Sequence, residues 1–175
     1  MKSLLIVPFA FAFLNVVAIK IRFTNLICQD LRPDFSSTQK CRLVVVKRGV
    51  ISLNVHVKLL QVPVNNITVN LAAFKKANGF KPFLYNITGD FCMFMANRKK
   101  FKFGEVFLNV LLKESNISHT CPYDHDIIVD NLVLNERKFA FLPLPRGEYM
   151  FQLRVAAYNV WNTLVKVYIS IDGDL

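Results

Sequence analysis

The densest run of reactive side chains in the sequence is His119-Thr120-Cys121-Pro122-Tyr123-Asp124-His125-Asp126. Two imidazoles, a thiol and two carboxylates so close together could ligate a divalent metal, or pair a cysteine nucleophile with a histidine base. The spacing matches no zinc motif, and the remaining histidine, His56, falls on the polar face of an alternating segment. A cysteine held in a disulfide is neither nucleophile nor ligand. The cluster therefore reads as a turn that caps and orients a strand, and no metal ligand or catalytic residue is assigned. There is no nucleophile elbow, HExxH, P-loop or GxGxxG. With 12 acidic residues in the chain, a paired-carboxylate hydrolase is hard to assemble. No cofactor and no enzymatic activity are expected.

The disulfide assumption rests on the other end of the chain. Lys2 precedes an apolar run from Leu4 to Val17, broken only by Pro8 and Asn15 and closing at Val16-Val17-Ala18. One positive charge, a short apolar core and small closing residues make residues 1–18 a secretory signal, too short for a membrane span of about 20 residues. Residues 19–175 are then a single domain that is secreted and extracellular. All four cysteines lie in it, and an even count in an oxidising compartment reads as two disulfides. Four cysteines allow three connectivities. Cys28–Cys41 with Cys92–Cys121 is favoured because each bond closes a modest loop. The sequons at Asn66, Asn86 and Asn116 fit the same compartment and mark three glycosylation sites.

The formal net charge of +10 would suit a nucleic-acid partner in another compartment. Here secretion and the scatter of the bases exclude one. The one dense basic patch, Arg98-Lys99-Lys100 with Lys102, fits a solvated loop, or contact with an anionic membrane surface or a cell-surface receptor.

The elements that position these residues are mostly strands. Ser52-Leu53-Asn54-Val55-His56-Val57-Lys58-Leu59 alternates apolar and polar residues, as do Thr68 to Leu71, Phe151 to Val155 and Val165 to Asp172. Leu43 to Val46 and Ile127 to Leu134 are less regular strands. Phe103, Val106, Phe107, Val110 and Leu111 instead fall at helical spacing, giving a helical insertion around residues 104–115 with Gly104 at its boundary. A shorter helix covers Asp90 to Asn97. Strands with one apolar face must pair face to face or close on themselves, so the fold class is mainly β: an antiparallel β-sandwich or flattened cup.

Three blocks carry a resemblance: Asn78-Gly79-Phe80-Lys81-Pro82-Phe83-Leu84-Tyr85-Asn86 with Asp90-Phe91-Cys92, then Ser115 to Tyr123 with Asp126-Ile127, then Leu142-Pro143-Leu144-Pro145-Arg146-Gly147-Glu148-Tyr149. Their order and spacing resemble a large family of small secreted insect proteins, described as a domain of unknown function, with chemosensory members. That family is similar to the ML lipid-recognition superfamily, which includes the ganglioside-activator protein. Glu148 stands where the family pattern has Asp, and Phe103-Gly104 where a Pro is common. The resemblance implies an immunoglobulin-like sandwich holding an apolar ligand between its sheets, and no catalytic residues.

The functional expectation combines both lines. Of 16 phenylalanines, only Phe9, Phe11 and Phe13 leave with the signal, so apolar volume exceeds what a minimal core needs. A monomeric binding protein for a small hydrophobic ligand (lipid, hydrocarbon or pheromone-like) is expected, its pocket lined by Val55, Val57, Phe91, Phe94, Phe107, Val110, Leu111, Phe151 and Leu153. The alternative is a secreted glycoprotein interaction module with a packed core.

Overall fold

The computed structural model describes residues 19–100, 102–134 and 144–173. The expected signal, residues 1–18, lies outside the described residues, as do Leu142 and Pro143 of the third resemblance block. The chain forms strands β1 (Ile19–Asp30), β2 (Ser36–Lys47), β3 (Val50–Leu59), β4 (Ile67–Ala77) and β5 (Gly79–Asp90). A helical segment follows, with α1 (Phe91–Ala96), a 3-10 turn (Arg98–Lys100), α2 (Lys102–Leu111) and a second 3-10 turn (Leu112–Glu114). The chain returns to β6 (Ile127–Val133), β7 (Gly147–Ala157) and β8 (Val160–Gly173). The strands make two antiparallel sheets, one ordered β1-β8-β7-β4-β5 and one ordered β2-β3-β6. This is a β-sandwich, as the alternation requires.

The two sides of the sandwich are closed differently. On one side, edge strand β1 of the larger sheet faces edge strand β2 of the smaller one, and Cys28–Cys41 joins them with Cα atoms 6.2 Å apart. On the other side, the segment from α1 to the second 3-10 turn carries the chain from β5 in the larger sheet to β6 in the smaller. Cys92–Cys121 pins the start of that crossing to the loop ahead of β6, with a Cα separation of 5.4 Å. Both pairings are those favoured by loop length.

The main core lies between the sheets. Leu53, Val55 and Val57 of β3 and Leu132 of β6 meet Phe23, Tyr149, Ile169 and Ile171 from the larger sheet. Val110 joins them from the insertion, and Leu111 packs against the group. Leu59, by contrast, leaves this row and packs with Phe35, Val64 and Ala157 in a smaller cluster.

Local rules explain the helices and one turn. The Asp90 side chain caps α1 by accepting from the Met93 N–H at 2.8 Å. Gly104, expected at a helix boundary, lies inside α2; a Cβ there would sit 2.9 Å from the Phe94 ring, so the two helices approach over a glycine. The helical insertion starts two residues earlier than expected and finishes as a 3-10 turn. Tyr158 and Asn159 both have positive φ, giving the two-residue turn whose twist matches the β7–β8 hairpin.

Candidate functional site

Two regions hold the side chains singled out by sequence: the apolar space between the sheets and the histidine-rich loop beside it. In the first, β7 is a central strand, flanked by β4 and β8. Alternation from Tyr149 puts Phe151, Leu153 and Val155 on the face toward the smaller sheet. Tyr149 is fully buried, yet Phe151, Leu153 and Val155 all keep solvent-accessible surface. Their register partners Val167, Val165, Leu71 and Val69 do as well. The larger sheet thus buries Tyr149, Ile169 and Ile171 and leaves Phe151, Leu153 and Val155 partly accessible, while Ala73 beside Phe151 and Thr163 beside Val155 are buried. Phe107 of α2 stands beside this row, its ring 5.9 Å from Phe151 and 6.1 Å from Tyr85 of β5.

Five of the nine residues expected to line a pocket belong to the core between the sheets. Val55, Val57 and Val110 are buried core, Leu111 and Phe151 pack on it, Phe107 covers Phe151, and Leu153 continues the strand row. Phe91 and Phe94 stand apart. Phe91 packs against Phe94 and Tyr123, each with a centroid separation of 6.2 Å, forming a separate aromatic group at the start of the insertion. Tyr85, Leu71 and Val165 face the same interior without having been selected. The β5 residue was hidden because that strand breaks its alternation.

The second region is the loop from Asn116 to Asp126. Its anchor is Tyr123, 1 % exposed. The Tyr123 hydroxyl donates to the carbonyl oxygens of His119 at 2.6 Å and Ile117 at 3.3 Å. Its backbone exchanges two hydrogen bonds with Val64, both 2.8 Å. Burial pushes the phenol up to about 12, against a smaller opposing pull from the Arg98 charge. Arg98, in the basic patch, is half-buried. The Lys99 and Lys102 side chains of that patch lie outside the described residues.

All three histidines converge here. His56 Nε2 lies 2.8 Å from Asp126 Oδ2, and this hydrogen bond holds the Asp126 carboxyl below the usual carboxylate range. His119 Nε2 lies 2.7 Å from His125 Nε2. Nδ1 of His119 lies 2.7 Å from the Thr120 carbonyl oxygen, and Nδ1 of His125 lies 2.8 Å from the Asp126 carbonyl oxygen and 3.1 Å from Asn116 Nδ2. Among the described residues, no group of three or more His, Cys, Asp or Glu is arranged to hold a metal. Cys121 is in the disulfide, so the cysteine–histidine pairing open in the sequence is closed in the fold.

The three sequons differ in what their side chains do. Asn116 Oδ1 accepts from the Ile128 N–H at 2.9 Å, while Nδ2 donates to the Asp126 carbonyl at 2.7 Å. The side chain therefore acts as an extra rung at the start of β6, and a glycan on Nδ2 would replace one of its two hydrogens and crowd the Asp126 carbonyl oxygen 2.7 Å away. Asn66 and Asn86 are exposed, and the recorded bond of the Asn86 amide uses its oxygen, accepting from Asn70. Protein expressed through a secretory pathway is expected to carry glycans on Asn66 and Asn86 and none on Asn116. Glycopeptide mapping of the folded fraction reads this directly; a folded form glycosylated at Asn116 would contradict it.

The geometry defines a class: a disulfide-stapled antiparallel β-sandwich with a helical segment closing one side over an apolar core. Residues 69–151, from β4 into β7 and including the insertion and Cys92–Cys121, match the model of a family described as a protein of unknown function, DUF1091. No curated protein matches the chain.

Proposed function

We propose that this chain is an extracellular binding protein that holds a small hydrophobic molecule between its two sheets. The observation that carries the reading is the accessibility of Phe151, Leu153 and Val155 on the inward face of a central strand. A packed sandwich buries such positions, because interiors fill to close-packed density. Apolar surface left accessible inside a concave space is what an apolar ligand binds. The two disulfides support the extracellular setting, and among the described residues no helix is long and apolar enough to cross a membrane. The resemblance to secreted proteins with chemosensory members extends the reading to lipid, hydrocarbon or pheromone-like ligands.

The test is titration of the purified chain with a fluorescent fatty-acid analogue, alongside native mass spectrometry of protein from a secretory host. The wild type should bind the probe or arrive carrying a copurified apolar molecule. Leu153→Trp, which fills the space from the strand row, should weaken probe binding about tenfold or more while the cooperative unfolding transition is kept. A wild-type chain that arrives empty and binds no apolar probe overturns the proposal. The structure would then act as a packed interaction module.

A further inference from the structure

The β2–β3 hairpin ends in five consecutive exposed residues, Val44-Val45-Val46-Lys47-Arg48, ahead of Gly49 with φ +76°. Val44 is 37 % exposed, Val45 72 % and Val46 57 %. Successive strand residues point to opposite faces. Val44 and Val45 pair in regular register with Ser52 and Ile51, so their joint exposure puts apolar groups on both faces of a tip that projects beyond the sandwich, and the exposed Val46 sits in the bulge that follows. An apolar tip exposed on both faces suits a fluid apolar phase that surrounds it better than a flat protein surface that covers one face.

Charge selects the phase. Between Lys40 and Ile51 the hairpin carries Lys40, Arg42, Lys47 and Arg48 and no carboxylate, with Lys40 paired to Asp130 of β6 at 3.1 Å. Strand directions put Asp30, Asp34, Asp90 and Asp126 at the other end of the sandwich. At the hairpin end, Glu148 and Asp172 are paired with Lys76 and Arg22. The fold is thus polarised along its length, with the apolar tip at its basic end. The same cations oppose edge-to-edge pairing of two copies through β2, since like charges would meet along the paired edges.

We infer that the Val44–Arg48 tip is a docking surface for an anionic lipid bilayer, with the valines entering the interface and Lys47 and Arg48 facing the headgroups. The inference does not depend on a ligand between the sheets. It also assigns membrane contact to a different place from the Arg98–Lys102 patch singled out in the sequence.

Co-sedimentation with vesicles tests it, using phosphatidylcholine with and without phosphatidylserine. The full chain should sediment with the anionic vesicles, weakly with the neutral ones, and less as salt is raised. Val45→Asp with Val46→Asp should reduce binding about tenfold or more. Lys47→Ala and Arg48→Ala should each reduce it about fivefold on the anionic vesicles only. Alanine replacement of Arg98 and Lys100 is the control and should leave binding unchanged. Equal binding to both vesicle types, binding that survives the aspartate pair, or loss only in the control variant would overturn the inference. So would a concentration-dependent dimer that the aspartate pair disperses in a chain that ignores vesicles. Probe binding by the aspartate pair, measured as above, separates failure here from failure of the ligand proposal.

Discussion

Tyr123→Ala is expected to destabilise the folded chain by about 3–5 kcal/mol, the range for removing a large buried aromatic side chain. Three kinds of contact are lost together. The ring packs against Phe91 and against His119, the latter at a centroid distance of 4.4 Å. The hydroxyl ties down two carbonyl oxygens of its own loop, at His119 and Ile117. The backbone at this residue also links the loop to the segment ahead of β4. Tyr123→Phe keeps the ring and removes only the hydroxyl, so it should cost about 1–1.5 kcal/mol. Urea unfolding of the two variants separates packing from hydrogen bonding, and equal losses would contradict the account.

The same residue gives a pH signature. Its phenol ionises near 12 in the fold and near 10 in the unfolded chain. Between those values the folded state holds the proton that the unfolded state has released, so stability falls as pH rises. The contribution is complete below about pH 10 and lost through about pH 12. Alkaline unfolding should therefore begin at lower pH in the wild type than in Tyr123→Phe, relative to each protein's stability at neutral pH. A parallel pair of stability curves across that window would count against the buried phenol.

Joint replacement of Cys28 and Cys41 by alanine is the second large effect. The bond closes a sequence separation of 13, and chain entropy for a loop of that size is worth about 3 kcal/mol. The lost bond is also the covalent tie between edge strands of two different sheets, on the side opposite the helical segment. The reduced-like variant should shift its urea midpoint down, with a larger dependence on denaturant because its unfolded state is less constrained. A change below about 1 kcal/mol would mean that the β1/β2 side is held by packing alone. Joint replacement of Cys92 and Cys121 provides the contrast. That loss releases the insertion from the β6 loop, and its local effect should appear first in amide exchange across α1 and α2.

Periodicity made some elements legible and concealed others. β3, β7 and β8 were evident because their alternation runs unbroken through long stretches, and the fold class follows from them. β1 went unseen because a register shift between Phe23 and Asn25 moves Leu26 and Cys28 onto the face that Ile21 and Phe23 begin. β5 was masked by Pro82 and by Leu84, whose φ of 57° belongs to a break in pairing between Ala72 and Phe74 on the neighbouring strand. The pocket residues follow the same logic. Strand and helix periods placed Val55, Val57, Val110, Leu111 and Phe151 on faces that the core uses. They could not show that Phe91 and Phe94 face Tyr123 and α2 instead of the sheets, because a period reports a face and not its partner.

The sequence by itself determined that this is a stapled antiparallel β-sandwich with a helical interruption between two cysteines. Alternation, helical spacing and an even cysteine count are local properties that survive in one dimension. Tertiary structure decided the rest. It chose one of three disulfide connectivities by bringing β1 and β2 to the same side of two separate sheets. It brought His56 of β3 to the loop that holds His119 and His125, and turned a sequon at Asn116 into a rung of β6. It also left Phe151, Leu153 and Val155 partly accessible while burying Tyr149 on the same strand, because sheets of five and three strands cannot cover one another completely.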